Sequence, residues 1–451
     1  MSTDLTQGNI NNHFKTIAIP ASIGFLFNTF YNVVDSLYAG RLGTESLAAM
    51  AISFPIFFLV ISISSGLGNS STALSAISIG KKDQNYFHEI MKNTVLLAIV
   101  FGILIPLLSP LYIPFLFSIT GVNDTVLSIG LEYTYTIMIG SIFFIFNNVF
   151  AGILSAQGIT KPFRNFLILG FLLNLVLDPM LMYGWLFFPK LGVQGVALAT
   201  VVIQFVGSVY LFVHLTRSFH FEHELLHNAK IQVVRIKEIF GQAIPATLNM
   251  ATIALGVFII NYFVMLYAGE NTVAAYGVSM RIEQIALIPT IGLNIAVLSL
   301  IGQNFGALNL DRIKETRKKG ILFGVIIMLI GTVVIFPLAP YLIRIFDDNP
   351  DVISAGTTYL RIEAIAFTTY VFLNINVSTL QGIKKPRFAV VLGLYRQILP
   401  IGIFYLLGTI FDWGIYGVWW GIVLINWSAV LISHIYTNKQ LQKIEGTLQS
   451  T

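Results

Sequence analysis

The sequence predicts an all-α membrane protein in which twelve transmembrane helices form two pseudo-symmetric six-helix lobes. Three observations support this fold class: the composition, the recurrence of long apolar segments, and an internal duplication. Only 10% of the residues are charged and 56% are hydrophobic, with a mean hydropathy of +0.80, whereas soluble proteins carry about 25% charged residues. We therefore expect most of the chain to lie in a lipid bilayer.

Apolar segments long enough to cross a bilayer recur along the whole chain. The first one follows a polar N-terminal stretch and is too long for a signal-peptide core, so we expect it to remain as the first span. Segments longer than one crossing are expected to tilt or protrude. The predicted spans are residues 14–38, 47–79, 92–117, 125–154, 163–187, 192–216, 239–268, 272–305, 320–345, 352–380, 388–411 and 414–437.

Lysine and arginine are distributed unequally between the two sides of these spans. If the N-terminus is cytoplasmic, most of the 26 basic residues fall in cytoplasmic segments, and only Arg41, Lys190 and Arg344 fall outside. Cytoplasmic loops of membrane proteins carry such an excess. The pattern predicts a multi-pass protein of the bacterial inner membrane with both termini in the cytoplasm. It also accounts for the basic pI without a nucleic-acid partner.

The two halves of the chain share landmarks at a nearly constant offset. Gln157–Pro162 (QGITKP) returns as Gln381–Pro386 (QGIKKP), and Ile19-Pro20-Ala21 returns as Ile244-Pro245-Ala246. Repeats of six spans insert in the same orientation, so we expect an axis along the membrane normal and a cavity between the lobes. The predicted parts are an N-lobe (1–216), a cytoplasmic linker (217–237) and a C-lobe (238–451). Two matched halves favour a transporter.

The first span carries a carboxylate, Asp35, deep in its apolar sequence. An acidic residue at the centre of a bilayer costs ~2.5–3.5 kcal/mol on insertion scales, and it usually faces the protein interior. Asn28, Tyr31 and Asn32 share its helix face. These polar residues line the substrate path or satisfy Asp35 by hydrogen bonds, and two asparagines of the fourth span are equally ambiguous. The substrate-cavity candidates are Asn28, Tyr31, Asn32, Asn147 and Asn148.

Several motifs resemble the MATE family of multidrug and toxic-compound exporters. They are Pro20 ahead of Asp35, the YAGRLG exit from the first span at 38–43, the paired QGxxKP loops, and the LVLDP end of the fifth span at 175–179. The chain is most similar to the DinF-type branch, because its membrane acids Asp35 and Asp178 lie in the N-lobe. NorM-type members place acids in the seventh and tenth helices. Here the seventh helix has none, and the tenth departs from that pattern with Glu363 beside Arg361.

The resemblance implies an N-lobe cation-coupling network of Asp35, Asn174, Asp178 and Thr200, and a first helix that bends at Pro20 when Asp35 is protonated. Asn174 and Asp178 are four residues apart and share a helix face. Their oxygens suit H⁺ or a weakly held Na⁺. Two neighbouring carboxylates in a low dielectric cannot both ionise at low cost, which favours a proton site. The alternatives are a static polar network between helices and a fixed kink at Pro20.

The C-lobe also contains charged residues within its predicted spans, and intramembrane charges usually pair. We therefore expect a structural ion pair there rather than a second site. The sequence has no HExxH, GxSxG or DDxxD motif, and it has no cysteine, which excludes disulfides and thiolate chemistry. No enzyme activity, cofactor or metal centre is expected. The C-lobe ion-pair candidates are Arg281, Glu283, Arg361 and Glu363.

Taken with the resemblance, these observations predict a monomeric exporter in the lipid bilayer that exchanges amphipathic, drug-like organic cations for H⁺ by alternating access. A Na⁺-coupled exporter of the same family is a first alternative, because oxygen ligands serve both ions. A lipid-linked oligosaccharide flippase of the related superfamily is a second, although its pyrophosphate would favour a more basic cavity. A membrane enzyme or receptor is disfavoured by the lack of motifs and soluble domains.

Overall fold

The computed structural model describes residues 4–185 and 188–449, and no strand occurs within these ranges. Thirteen α-helices follow one another, and a π-helical turn, Leu406–Ile410, extends the twelfth. The helices are α1 (Ile10–Leu42), α2 (Thr44–Gly80), α3 (Gln84–Ser118), α4 (Asp124–Ile139), α5 (Ser141–Ala156), α6 (Lys161–Tyr183), α7 (Val193–Thr216), α8 (His223–Asn228), α9 (Val233–Gly306), α10 (Leu310–Arg344), α11 (Pro350–Gly382), α12 (Arg387–Tyr405) and α13 (Ile415–Gln449).

These elements form twelve membrane-spanning helices in two lobes, which confirms the predicted fold class. Within the described ranges, nine helices are long and apolar enough to cross a membrane, and the pair α4–α5, bent by 43°, adds a tenth. The 74-residue α9 contains two spans, because Gly269 has a non-helical conformation (φ 75°, ψ −171°) that divides it. The 33-residue α11 completes the set.

Some helix limits differ from the sequence prediction. The first helix, α1, extends past the predicted span at both ends. The fourth predicted span is broken at Gly140 into α4 and α5. The fifth ends early at Tyr183, because Gly184 takes a left-handed conformation (φ 74°) that closes the helix. The predicted end of that span at residues 186–187 lies outside the described residues.

The duplication appears as repeated local hydrogen bonding. The Ser53 hydroxyl donates to the carbonyl oxygens of Ala49 and Gly130, at 2.7 and 3.5 Å. In the second half, the Ser279 hydroxyl makes the same two bonds, to Ala275 and Gly356 at 2.7 and 3.5 Å. The N-caps repeat as well: Asn123 caps α4, and Asn349 caps α11. These landmarks align α2 with the second half of α9, and α4 with the start of α11.

The chain forms two compact units whose borders lie inside helices. The first unit comprises Ile23–Thr247 and the segment up to Gly8, and the second comprises Asn9–Ser22 and the chain from Leu248 onward. The start of α1 packs in the second unit, where the rings of Phe14 and Phe323 meet edge to face at 5.4 Å. The start of α9 packs in the first, where the Ser70 hydroxyl donates to the Ile239 carbonyl at 3.1 Å. The unit borders therefore differ from the lobe limits expected from the sequence.

Close helix packing in the first unit fixes the frame around the candidate site. Gly68 of α2 and Gly152 of α5 meet so closely that a Cβ on Gly152 would lie 2.4 Å from the Gly68 carbonyl oxygen. Small residues allow such backbone approach between membrane helices. The Ser64 hydroxyl also donates to the Phe144 carbonyl at 2.7 Å. A rigid α2–α5 contact results.

The linker is docked on α3 rather than free. The Arg235 guanidinium bonds the Glu89 carboxylate at 2.7 Å, and the Lys92 ammonium donates to the carbonyls that end α8, with the shortest bond to Ala229 at 2.8 Å. The backbone N–H of Glu222 donates to Nε2 of His88 at 3.0 Å, and Nδ1 of His88 faces the Gln84 carbonyl at 2.8 Å. His88 is therefore held as the neutral Nδ1–H tautomer.

Candidate functional site

The four residues of the predicted coupling network come from three helices and lie together in the first unit. Asp35 is on α1, Asn174 and Asp178 are on α6, and Thr200 is on α7. The Asn174 side-chain amide donates to Oδ1 of Asp35 at 2.7 Å. Asp178 and Thr200 also neighbour the Asp35 carboxyl group. All four are buried, with Asn174 and Asp178 fully inaccessible.

The cluster is short of hydrogen-bond donors. The Asn174 amide and the Asp35 carboxyl group lie beside Asp178, but neither carboxylate oxygen of Asp178 has a well-aligned donor among the described residues, and neither does Oδ1 of Asn174. A buried acceptor that lacks a donor costs ~1–3 kcal/mol, and more if it is charged. The three oxygens lie beside a second carboxyl group, Asp35. This arrangement gains stability when a proton or a small cation enters it.

Two tyrosines border the cluster. The Tyr31 hydroxyl on α1 donates to Oγ1 of Thr200 at 2.9 Å, which joins the first and sixth spans. Tyr133 of α4 is 8% exposed and acts electrostatically on Asp35 and Asp178 without a hydrogen bond to either. Sequence reasoning missed Tyr133. The repeat could have revealed it, because Tyr133 follows the Asn123 cap at the same distance as Tyr359 follows the Asn349 cap.

The substrate-cavity candidates separate into two groups. Asn28 is half-buried and Asn32 is exposed, and among the described hydrogen bonds neither side chain donates to Asp35. Asp35 receives its hydrogen bond from Asn174. On α5, the Asn147 amide donates to the Gln204 side chain at 2.6 Å. The Asn148 amide donates to the Ser64 hydroxyl at 2.8 Å. The two α5 asparagines thus connect neighbouring helices of the first unit.

Pro20 lies inside α1, two residues before the border between the units. Proline removes one backbone donor from a helix and weakens it locally. Pro20 precedes Asp35 by about four helical turns. The helix is continuous from Ile10 to Leu42, so a bend at Pro20 remains a prediction.

The second unit buries a pair of glutamates in a different setting. The Tyr359 hydroxyl donates to Oε2 of Glu283 at 3.1 Å, and the Tyr370 hydroxyl donates to Oε1 of Glu363 at 2.8 Å. Arg396 acts electrostatically on both glutamates, and its guanidinium lies 5.5 Å from the centre of the Tyr370 ring. This group thus contains phenolic donors and a cation of its own.

The structure does not form the ion pairs expected in the C-lobe. Arg281 and Arg361 are exposed, whereas Glu283 and Glu363 are buried. Each arginine is two residues from a glutamate, and residues two apart do not share a helix face. Arg361 instead donates to the Phe336 carbonyl at 3.1 Å. Arg396, which lies in the predicted span 388–411 and was not among the ion-pair candidates, acts electrostatically on both glutamates instead.

The chain has two six-span repeats, and each compact unit buries its own pair of acids. These features define a polytopic membrane transporter rather than an enzyme. Among the described residues, no group of three or more His, Asp or Glu side chains could hold a metal ion.

The chain belongs to the MatE family, whose model matches residues 20–180 and 245–406. The two matched segments begin at Pro20 and Pro245, the equivalent points of the repeat.

Known proteins resemble the chain over most of its length. A probable multidrug resistance protein of Bacillus subtilis, YoeA, is 25% identical over 79% of this chain and 76% of its own length. An FAD transporter of Shewanella oneidensis is 24% identical over 99% of this chain and 98% of its own. The outward-facing structure of a multidrug resistance MATE family transporter has a TM-score of 0.92 and 25% identity, and covers 99% of both chains.

Proposed function

We propose that this protein exports amphipathic, mostly cationic organic compounds across the bacterial inner membrane in exchange for H⁺. Several similar proteins are named multidrug resistance or multidrug export proteins, which supports an export role. The observation that carries the coupling proposal is the donor-poor cluster of Asp35, Asn174 and Asp178. Its buried oxygens without donors favour the arrival of a proton.

In this proposal, Asp35 alternates between two protonation states. When Asp35 is ionised, it attracts the cationic substrate and accepts the hydrogen bond from Asn174. A proton from outside removes that negative charge and adds a donor, which Asp178 can accept. Substrate then leaves outward while α1 bends at Pro20, and release of the proton to the cytoplasm resets the site.

The energy available suits moderate accumulation of a drug. One charge that moves down a potential of 100 mV supplies ~2.3 kcal/mol. A pH difference of one unit adds ~1.4 kcal/mol for each proton. A neutral substrate could use both contributions, which support a concentration ratio of several hundredfold for one proton. Export of a substrate with one positive charge in exchange for one proton moves no net charge, so only the pH difference acts and the ratio is about tenfold. In this proposal the Asp35–Asp178 pair holds one proton in each cycle, because the first proton removes the repulsion between the two neighbouring carboxylates.

Na⁺ coupling is the alternative, because the same oxygens are hard ligands. Inside-out membrane vesicles distinguish the two ions. A cationic fluorescent drug is added outside, and either an acidic lumen or a Na⁺-loaded lumen is imposed alone. Proton coupling predicts drug uptake with the acidic lumen only.

Uptake driven only by the Na⁺ gradient would overturn the proton mechanism but preserve the exporter. No drug uptake under either gradient, together with transport of a lipid-linked oligosaccharide by the same vesicles, would support the flippase alternative. Vesicles that contain Asp35→Asn protein at the same level serve as the control.

A further inference from the structure

A cavity of about 470 Å³ with several charged residues in its wall lies in the second unit, and neither Glu283 nor Glu363 lines it. It is formed by the first turns of α10, by α11, and by the last turns of α13. Lys314, Arg317 and Lys318 of α10 contribute three positive charges to its wall, and Glu445 of α13 contributes one negative charge. The distribution of Lys and Arg places this end on the cytoplasmic side.

Arg317 is buried in the wall and is held by neutral groups alone. It is 6% exposed. Its guanidinium donates to Oδ1 of Asn376 at 3.0 Å, to Oδ1 of Asn438, and to Nδ1 of His434 at 3.0 Å. Asn376 is fixed in turn by a bond to the Ser433 hydroxyl at 3.0 Å. Three neighbours thus orient the guanidinium rigidly.

The charge of Arg317 has no counter-ion. Among the described residues, the ion pairs do not include it, and the carboxylate in the cavity, Glu445, pairs with Lys314 at 2.7 Å. A guanidinium has five N–H donors, of which these contacts use three, so two remain. Buried charges are normally paired. Lys318 adds an exposed ammonium to the same cavity without an acidic partner.

We propose that this cavity binds a phosphate-bearing anion, supplied by the headgroup of an anionic membrane lipid or by a free phosphate compound. The planar guanidinium suits bidentate phosphate contact, and basic pockets between helices on the cytoplasmic side suit acidic headgroups. The volume falls in the range of small-molecule sites, about 300–1,000 Å³. The site is independent of the exported substrate, because none of its residues belongs to the Asp35 cluster.

The test uses the purified full-length protein in neutral detergent. Short-chain phosphatidylglycerol, phosphatidylcholine of the same chain length, and inorganic phosphate are titrated separately, and binding is followed by native mass spectrometry and by the shift in melting temperature. We expect phosphatidylglycerol to bind more tightly than phosphatidylcholine. The double variant Lys314→Gln/Lys318→Gln should weaken that binding about thirtyfold, since each surface cation contributes ~1 kcal/mol.

Two further variants separate a site from general surface charge. Lys319→Gln removes a charge from the same helix, but Lys319 pairs with Glu315 at 2.8 Å and does not line the cavity, so binding should stay unchanged. Glu445→Gln removes the one acid that lines the cavity among the described residues, and it should tighten binding about fivefold. A merely structural role for these residues predicts no such gain.

The remaining outcomes identify the source of the anion and show whether the cavity is a binding site. Binding of phosphatidylglycerol but not of inorganic phosphate supports a lipid site, and competition between the two supports a free anion. Equal binding of both lipids together with no binding of inorganic phosphate would overturn the proposal. So would binding of phosphatidylglycerol or phosphate that the double lysine variant does not change. The lysine variants leave the contacts of Arg317 in place, so the test does not depend on whether Arg317→Gln folds.

Discussion

In the first unit, Asp35 and Asp178 lie among amide, hydroxyl and phenol groups, and three acceptor oxygens of the cluster have no donor. In the second unit, Glu283 and Glu363 receive hydrogen bonds from Tyr359 and Tyr370, beside the guanidinium of Arg396. Oε2 of Glu363 also lacks a donor among the described residues. The second pair nevertheless has a phenolic donor to each glutamate and a nearby cation, whereas neither oxygen of Asp178 has a donor. Burial of two carboxyl groups therefore does not by itself mark a coupling site.

The pairs also occupy different positions in the repeat. When Pro20 is aligned with Pro245, Asp35 falls opposite Ile260. When Asn123 is aligned with Asn349, Ile137 falls opposite Glu363. Asp35 and Glu363 thus each have an apolar counterpart in the other half. A buried tyrosine, by contrast, occurs in both halves, as Tyr133 and Tyr359. The duplicated scaffold is shared, whereas the acids differ between the halves, so we expect unequal roles.

The largest expected difference concerns transport. Asp35→Asn keeps the side-chain volume but cannot lose a proton, so drug uptake into inside-out vesicles should fall to the level of empty vesicles. Glu363→Gln, the matched change in the second unit, should keep most of the wild-type rate. Uptake is measured at equal protein levels. Full activity of Asp35→Asn, or loss of activity in Glu363→Gln alone, would reverse the assignment of the two pairs.

The next effect concerns stability in the second unit. Tyr359→Phe removes the donor to Glu283 and should lower the free energy of unfolding by ~1.5–3 kcal/mol, the range for a hydrogen bond to a charged group. Tyr133→Phe is its repeat-related control. Because the Tyr133 hydroxyl makes no hydrogen bond to the acids beside it, we expect a change within ~0.5 kcal/mol. Unfolding in detergent checks both, and equal losses would remove the contrast between the units.

A smaller effect of opposite sign is expected at Asp178. Asp178→Asn brings an amide donor to a cluster that lacks donors, so it should stabilise the fold by ~1 kcal/mol while transport falls. Asn174→Ala is the control, because it removes the 2.7 Å bond to Asp35 and should destabilise the fold. A marked loss of stability in Asp178→Asn would indicate that Asp178 accepts hydrogen bonds that hold the structure together.

The smallest expected effect is a pH dependence of the docking of the linker on α3. Nδ1 of His220 faces the Gln84 amide at 2.9 Å, and burial, with His88 nearby, lowers the pKa of His220. The undocked histidine therefore binds protons more readily than the docked one, so docking weakens as pH falls below ~6.5.

The undocking of residues 217–232, measured by hydrogen exchange and corrected for the intrinsic exchange rate at each pH, should accordingly rise as the pH is lowered from about 7.5 to 5.5. His220→Asn should reduce this rise, because asparagine can accept the same bond without titrating. His227→Asn should leave it unchanged, because among the described residues the side-chain hydrogen bond of His227 is to its neighbour Asn228 and not to α3. A rise that persists unchanged in His220→Asn would exclude His220 as the sensitive group.

The sequence predicted the spans well, because apolar length and the Lys and Arg distribution are properties of the chain itself. The break at Gly140 and the border of the two units inside α1 were not predictable in this way, since both depend on which helix faces a segment packs against. The grouping of Asp35, Asn174, Asp178 and Thr200 came from the family resemblance, and the structure places them together. Their coupling role stays a prediction.

The C-lobe expectation failed for a reason that the sequence already contained. Arg361 and Glu363 are two residues apart, and so are Arg281 and Glu283, a spacing that puts each pair on different sides of a helix. The partners of the glutamates, Tyr359, Tyr370 and Arg396, depend on the packing of several helices. That information is tertiary, and only the repeat between Tyr133 and Tyr359 could have suggested part of it.

The release of protons on drug binding tests the central claim most directly. Purified wild-type protein in weakly buffered detergent solution near neutral pH is mixed with a cationic drug, and the proton yield is recorded with a pH indicator. We predict release of protons by the wild type and by Glu363→Gln, and none by Asp35→Asn with the drug still able to bind at high concentration. Release that is unchanged in Asp35→Asn, or that disappears only in Glu363→Gln, would contradict a proton site at Asp35.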